Sequence, residues 1–165
     1  MAKKGFLKAQ DAINGKDGWA TMVYTDPKTG KEVIRELFEI RTMRATITKQ
    51  KSDFKALGSK SVQHKATGWS GTGSIDEYYV SSAWAEMMSS YIKEGKDIYF
   101  TITFMNYGSE TGSNIGDQTI TLKDCNIDNL DIAALDVDAE WLTRSLNFTF
   151  SDIDIQKSFT PLDIE

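Results

Sequence analysis

Three segments of the chain alternate apolar and polar residues with a period of two, which commits each to an extended strand with one face buried. Met43, Ala45 and Ile47 point one way while Thr42, Arg44, Thr46 and Thr48 point the other. Ile98, Phe100, Ile102 and Phe104 alternate with Tyr99, Thr101 and Thr103, and Leu146, Phe148 and Phe150 alternate with Asn147, Thr149 and Ser151. Residues 66–79 and 118–127 also read as strands, the first weakened by its glycines. Asp26-Pro27-Lys28-Thr29-Gly30 is turn chemistry joining Trp19–Thr25 to Lys31–Ile34 as a hairpin. One segment departs from this pattern: Trp84, Met87, Met88, Tyr91 and Ile92 fall at helical spacing and predict a helix that buries this stripe. Ser81 or Ser82 can cap its start, and Gly95 can close it in the left-handed conformation. About seven strands and one helix over about 82–94 describe a mainly β fold, an antiparallel β-sandwich or barrel with one flanking α-helix.

The 165 residues, 40% hydrophobic and 11% aromatic, can bury one sizeable core, so a single domain over 1–165 is expected. The longest apolar run, Ile132–Leu135, is four residues, far short of a membrane-spanning helix. The basic start Met1–Lys8 resembles the first segment of an export signal, but Lys8, Gln10 and Asp11 interrupt the apolar segment that should follow. The sequence therefore points to a protein kept in the cytoplasm or released without the usual export route. One cysteine, Cys125, excludes an internal disulfide and multi-thiolate metal sites, and one histidine, His64, excludes multi-histidine sites.

The glycine-rich segment Gly68-Trp69-Ser70-Gly71-Thr72-Gly73-Ser74 fails as a phosphate loop, because Ser74 stands where lysine is needed. It also fails as a dinucleotide fingerprint, with Asp76 in the third glycine position, and as a nucleophile elbow, with Thr72 at its fifth residue. Asp124, Asn126 and Asp128 match the start of a calcium loop, but Asn129 and Leu135 occupy the positions that require glycine and glutamate. Asp136/Asp138 and Asp152/Asp154 are carboxylate pairs, but nothing in the sequence places either in a cleft. His64 has no evident nucleophile or orienting carboxylate. No catalytic, cofactor or metal site is expected, and the protein reads as a structural or binding protein rather than an enzyme.

The formal charge of −5 conceals an uneven distribution. Residues 1–65 carry 14 Lys/Arg against 7 Asp/Glu, whereas residues 124–165 carry 2 against 10. Such asymmetry suits complementary surfaces within one fold or between copies. The lysine-rich stretch Lys49–Lys65 holds five lysines and one acid but no stacking aromatic apart from Phe54, so it reads as a mobile loop contacting another copy rather than as a nucleic-acid site.

Several segments, in order along nearly the whole chain, resemble a known family. They are Phe6–Gly18, His64-Lys-Ala-Thr-Gly-Trp-Ser-Gly-Thr-Gly73, Met87-Met88 with Tyr91-Ile-Lys-Glu-Gly95, Ile132-Ala-Ala-Leu-Asp-Val-Asp138, and Phe148-Thr-Phe-Ser-Asp-Ile-Asp154. Together they resemble the tail tube proteins of contractile-tailed phages, of the type found in PBSX-like defective prophages. By that resemblance the hairpin around Asp26–Arg35 is expected to be longer than is usual in the family. The resemblance implies a subunit that forms hexameric rings, which stack into a hollow tube inside a contractile sheath. Sheath, baseplate or initiator, and tape-measure proteins would be its partners, and DNA would pass through without specific binding. The implied location is the virion tail, with assembly in the bacterial cytoplasm and no membrane insertion. Within that picture Thr42, Arg44, Thr46, Thr48, Ser70, Thr72 and Ser74 are expected on the channel side. Lys49, Lys51, Lys55 and Lys60, in a loop over about 49–65, and an extended N-terminal arm over about 1–17 are expected between subunits or rings. Two other readings stand beside it: the tube of a phage-tail-like bacteriocin or type VI-like secretion particle, and a monomeric carbohydrate-binding β-sandwich using Trp69 or Trp141.

Overall fold

A computed structural model describes residues 7–162. After a 3-10 turn at Ala9–Asp11 come β1 (Gly18–Thr25), β2 (Glu32–Glu36), β3 (Ile40–Phe54), β4 (Gln63–Tyr78), α1 (Ala83–Glu94), β5 (Phe100–Tyr107), α2 (Gly108–Thr111), β6 (Asp117–Leu130), β7 (Thr143–Phe150) and β8 (Asp152–Lys157). The mainly β, antiparallel class is as expected. The chain forms two compact units, residues 7–38, 99–123 and 153–162 in one, residues 39–98 and 124–152 in the other. Strand β6 contributes its first half to one and its second half to the other.

In the first unit the strand order is β2-β1-β5-β6, with β8 also pairing with β6. The hairpin read at Asp26–Gly30 is present: Asp26 N–H donates to Lys31 O at 2.9 Å, Lys28 N–H donates to Asp26 Oδ1 at 2.9 Å, and Gly30 takes the positive φ that favours glycine. Met22 stands opposite Ile102, and both are fully buried. Ala20, Phe100 and Leu122 are buried in the same unit, so the period-two alternation is realised as an apolar face. Residues 7–17 are tied in as well. Asp11 is buried, its carboxylate accepts Asn114 N–H at 3.3 Å and Asn114 Nδ2–H at 3.2 Å, and its carbonyl accepts the Ser113 hydroxyl at 3.0 Å. Residues 1–6 of the expected arm lie outside the described residues.

In the second unit the order is β3-β4-β7-β6. Strand β4 carries glycines because the rings of β7 cross it: a Cβ on Gly71 or Gly73 would collide with Phe150 or Phe148, the residues directly opposite them. Two expectations are corrected here. Most of the Lys49–Lys65 stretch is strand rather than loop, because β3 and β4 stay paired from Lys51↔Ala66 to Phe54↔Gln63, leaving only residues 55–62 as the connection. Its lysines and serines hide the pairing, since a hairpin exposed on both faces needs no apolar alternation. The α1 stripe is buried only in its first half. Trp84 and Met87 are buried, whereas Tyr91 and Ile92 are 52% and 68% exposed, and a cavity of about 230 Å³ lies between the later turns and Asn126–Asp128. Ser81 Oγ accepts Ala83 N–H at 3.2 Å at the start of α1, and Gly95, at φ 67°, closes it by donating to Tyr91 O.

Candidate functional site

Antiparallel pairing puts residues that stand directly opposite one another on the same face of a sheet. The β3–β4 register pairs Thr42 with Asp76, Arg44 with Ser74, Thr46 with Thr72 and Thr48 with Ser70. All seven residues expected on the channel side therefore share one face, and all seven are exposed. The β4–β7 and β6–β7 registers continue the rows: Asp76 to Ser145, Ser74 to Asn147 and Asn129, Thr72 to Thr149 and Asn126. Sequence reasoning saw the polar side of β7 but left these further residues out of the site. What joins them to Thr42–Thr48 is register across three strands that lie far apart in the chain, which no local pattern encodes.

Within the rows the side chains bond one another. Thr42 Oγ1–H donates to Asp76 Oδ2 at 3.1 Å, the Ser145 hydroxyl donates to the other oxygen of Asp76, and Asn147 Nδ2–H donates to Asn129 Oδ1 at 2.8 Å. Arg44 is the one cation in these rows, Asp76 is its diagonal neighbour, and the remainder are neutral hydroxyls and amides. The reverse face is apolar: Met43, Ile75 and Leu146 form one row, and Ala45, Gly73, Phe148 and Ile127 the next.

A buried ion pair holds α1 to that apolar side. Glu77 and Arg144 are cross-strand partners on β4 and β7, both out of solvent, with Arg144 Nε donating to Glu77 Oε1 at 2.6 Å. Trp84 Nε1–H, from the first turn of α1, donates to Glu77 Oε2 at 3.1 Å, and the Arg144 guanidinium lies 5.2 Å from the Tyr79 ring centroid. Burial pushes the Glu77 carboxyl above the ordinary glutamate value, the hydrogen bond and charge of Arg144 oppose it, and Glu39 nearby adds to the rise. Chemically this is a structural clamp, since the carboxylate faces no cleft.

The expected intersubunit lysines divide between two settings: Lys49 and Lys51 are on β3, while Lys55 and Lys60 lie in the 55–62 connection. His64 does have a carboxylate, contrary to expectation, because the hairpin register sets Asp53 opposite it at 3.0 Å, with both side chains mostly exposed. Trp69 lies against Phe150 at 6.3 Å between centroids, and Trp141 meets Tyr78 edge-on at 6.3 Å. Among the described residues no group of three or more His, Cys, Asp or Glu could hold a metal ion.

Comparison with known proteins gives a consistent answer. The family model described as phage tail tube protein matches residues 5–156. The phage-like element PBSX protein XkdM of Bacillus subtilis (strain 168) is 36% identical over 154 residues, covering 93% of this chain and 97% of the relative. YqbM of the same strain, uncharacterized, is 37% identical over 149 residues, covering 90% and 93%. Among solved structures, the fold is similar to a chain in the sheath/tube terminator of an extracellular contractile injection system, with a TM-score of 0.66, 8% identity and coverage of 91% and 100%. It is also similar to a chain of the SPP1 tail tube, with a TM-score of 0.57, 10% identity and coverage of 87% and 78%. The chain belongs to the phage tail tube protein family.

Proposed function

We propose that the protein is the repeating subunit of a tail's inner tube, with six copies closing into a ring, rings stacking inside a contractile sheath, and the polar rows lining the channel through which DNA passes. The observation that carries this reading is the two-sidedness of a sheet that ends in a long edge strand. Strand β3, 15 residues long, is last in its unit's order, so its outer backbone edge is available to a strand of a neighbouring copy. Closing such sheets across copies puts one face of every sheet inside, and of the two faces only the threonine, serine and asparagine rows suit a wet interior. Neutral hydroxyls and amides make few counterion-releasing contacts with phosphate, so DNA moves past them with little binding. Baseplate or initiator and tape-measure proteins complete the set of partners, the role is scaffolding rather than catalysis, and assembly takes place in the host cytoplasm.

Negative-stain electron microscopy across a concentration series tests the reading, using the wild type and Thr46→Phe. Hollow tubes from the wild type, with Thr46→Phe folded as a monomer but impaired in tube formation or DNA passage, are expected. Unchanged tubes and unchanged infectivity in the variant would remove Thr46 from the channel wall.

A further inference from the structure

Of the six asparagines in the chain, Asn14 alone is followed by glycine; the others precede tyrosine, isoleucine, leucine or phenylalanine. Asn14 opens a turn just before β1: Asp17 N–H donates to Asn14 O at 3.1 Å, which makes Gly15 the second residue of a four-residue turn. Asn14, Gly15 and Lys16 are all exposed. The Gly15 N–H donates to no acceptor among the described residues. Nothing lies within 4 Å of the place a Cβ on Gly15 would take, and its φ is not positive. Every other described glycine has a positive φ or an atom close to that place, so Gly15 is the one whose missing side chain the fold does not require.

We propose that Asn14 is a site of spontaneous deamidation through a cyclic imide with Gly15, and that the product loosens the segment before β1. The Gly15 backbone nitrogen gives its proton to hydroxide and bonds to Asn14 Cγ, while the Cγ–Nδ2 bond breaks and the nitrogen leaves as ammonia. Water then opens the imide at either carbonyl, giving an aspartyl or an isoaspartyl linkage. Ring closure is intramolecular, and the unhindered, unbonded Gly15 nitrogen meets no barrier from a side chain or a hydrogen bond. The Asp17–Gly18 step has the same kind of residue pair but is locked: Gly18 N–H donates to Lys16 O at 3.0 Å, Gly18 pairs with Asn106 on β5, and Asp17 O accepts Tyr107 N–H at 2.8 Å. In the intact turn Asn14 Nδ2–H donates to Asp17 Oδ2 at 3.3 Å. Deamidation puts a second carboxylate in that donor's place, and the isoaspartyl product adds a methylene to the main chain, so residues 7–13 lose their fixed distance from β1.

The test is incubation of the purified full-length protein at mildly alkaline and mildly acid pH, with peptide mapping by mass spectrometry and labelling by an isoaspartate-specific methyltransferase. Aspartate and isoaspartate are expected at position 14, faster at alkaline pH, with the other five asparagines and Asp17 unchanged. Gly15→Val, which the open surroundings of Gly15 accommodate, is expected to lose the product. A wild type that keeps Asn14 intact while the same protein unfolded in urea deamidates would overturn the proposal, because the folded turn would then be protective. Equal rates at Asn14 and Asn114, or undiminished product in Gly15→Val, would overturn it as well. Limited proteolysis of Asn14→Asp reads the consequence: cleavage within residues 7–17 should precede that of the wild type, and identical cleavage would overturn the loosening. No readout requires rings or tubes, so the outcome is separate from that of the tube reading.

Discussion

Replacing Arg144 with methionine isolates the strongest electrostatic commitment in the second unit. The substitution keeps the volume and apolar stem but leaves the Glu77 carboxylate, fully out of solvent, with the Trp84 indole as its remaining donor among the bonds described above. Removing one partner of a buried ion pair costs about 3–5 kcal/mol, because the other charge is left in a medium that cannot solvate it. With a urea dependence of about 2 kcal/mol per molar, the unfolding midpoint should fall by about 2 M. The loss should depend on pH. Burial raises Glu77, and Arg144 is the main influence opposing that rise, so the folded-state value climbs further in the variant. A carboxyl whose folded value lies above its unfolded value favours folding below the unfolded value, about 4.3, and that contribution is lost as pH rises through the folded value. The Arg144→Met deficit should therefore be smaller at pH 5 than at pH 8. Glu77→Leu/Arg144→Met should recover most of the loss, to within about 1–2 kcal/mol, the remainder reflecting the lost Trp84 Nε1–H bond to Glu77. Urea titrations followed by tryptophan fluorescence give all three numbers. A single-variant cost below about 1 kcal/mol, or a deficit independent of pH, would refute the reasoning.

Other perturbations test other parts of the fold. Gly73→Val should cost about 1–3 kcal/mol in urea unfolding, because its side chain would enter the space held by the fully buried Phe148 ring. Asp117 is held below the ordinary aspartate value by hydrogen bonds from Ser109 Oγ and N–H, with Lys157 adding to it. Its contribution is therefore present at neutral pH and lost as pH falls through the folded value, so Asp117→Asn should be destabilised relative to the wild type at pH 7 but converge with it at strongly acid pH, read by thermal melts. Asp11→Ala removes the acceptor for both Asn114 donors and should open residues 7–17 to limited proteolysis while the strands stay protected.

Much of this fold is legible in the sequence wherever one side of an element is buried. The Phe100–Ile102 and Leu146–Phe150 alternations, the Asp26–Gly30 turn and the Gly95 helix stop all fall where local pattern places them, whereas Met43–Ile47 forms a strand as expected but its apolar side is only half-buried at Met43 and Ala45 and exposed at Ile47. Legibility fails where burial does not impose a pattern. Residues 49–54 and 63–68 pair as strands without an apolar face, and the Trp84–Ile92 stripe has the spacing of a buried surface although its second half is exposed. It fails too where the determinant is non-local. The seven polar residues could be named one strand at a time, but the rows that add Asn147, Thr149 and Asn129 exist only through the register with β7 and β6. Glu77 and Arg144, 67 residues apart, carry no sequence signal that they will meet.

A cryo-EM reconstruction of tubes assembled from the purified protein would show which face of the β3-β4-β7 sheet lines the channel. The expected channel wall is built of Thr42, Thr46, Thr72 and Ser74, with the Ile75–Phe148 face turned away from the lumen beneath α1. A channel lined by any other surface, with the polar rows on the outside of the tube, would contradict it.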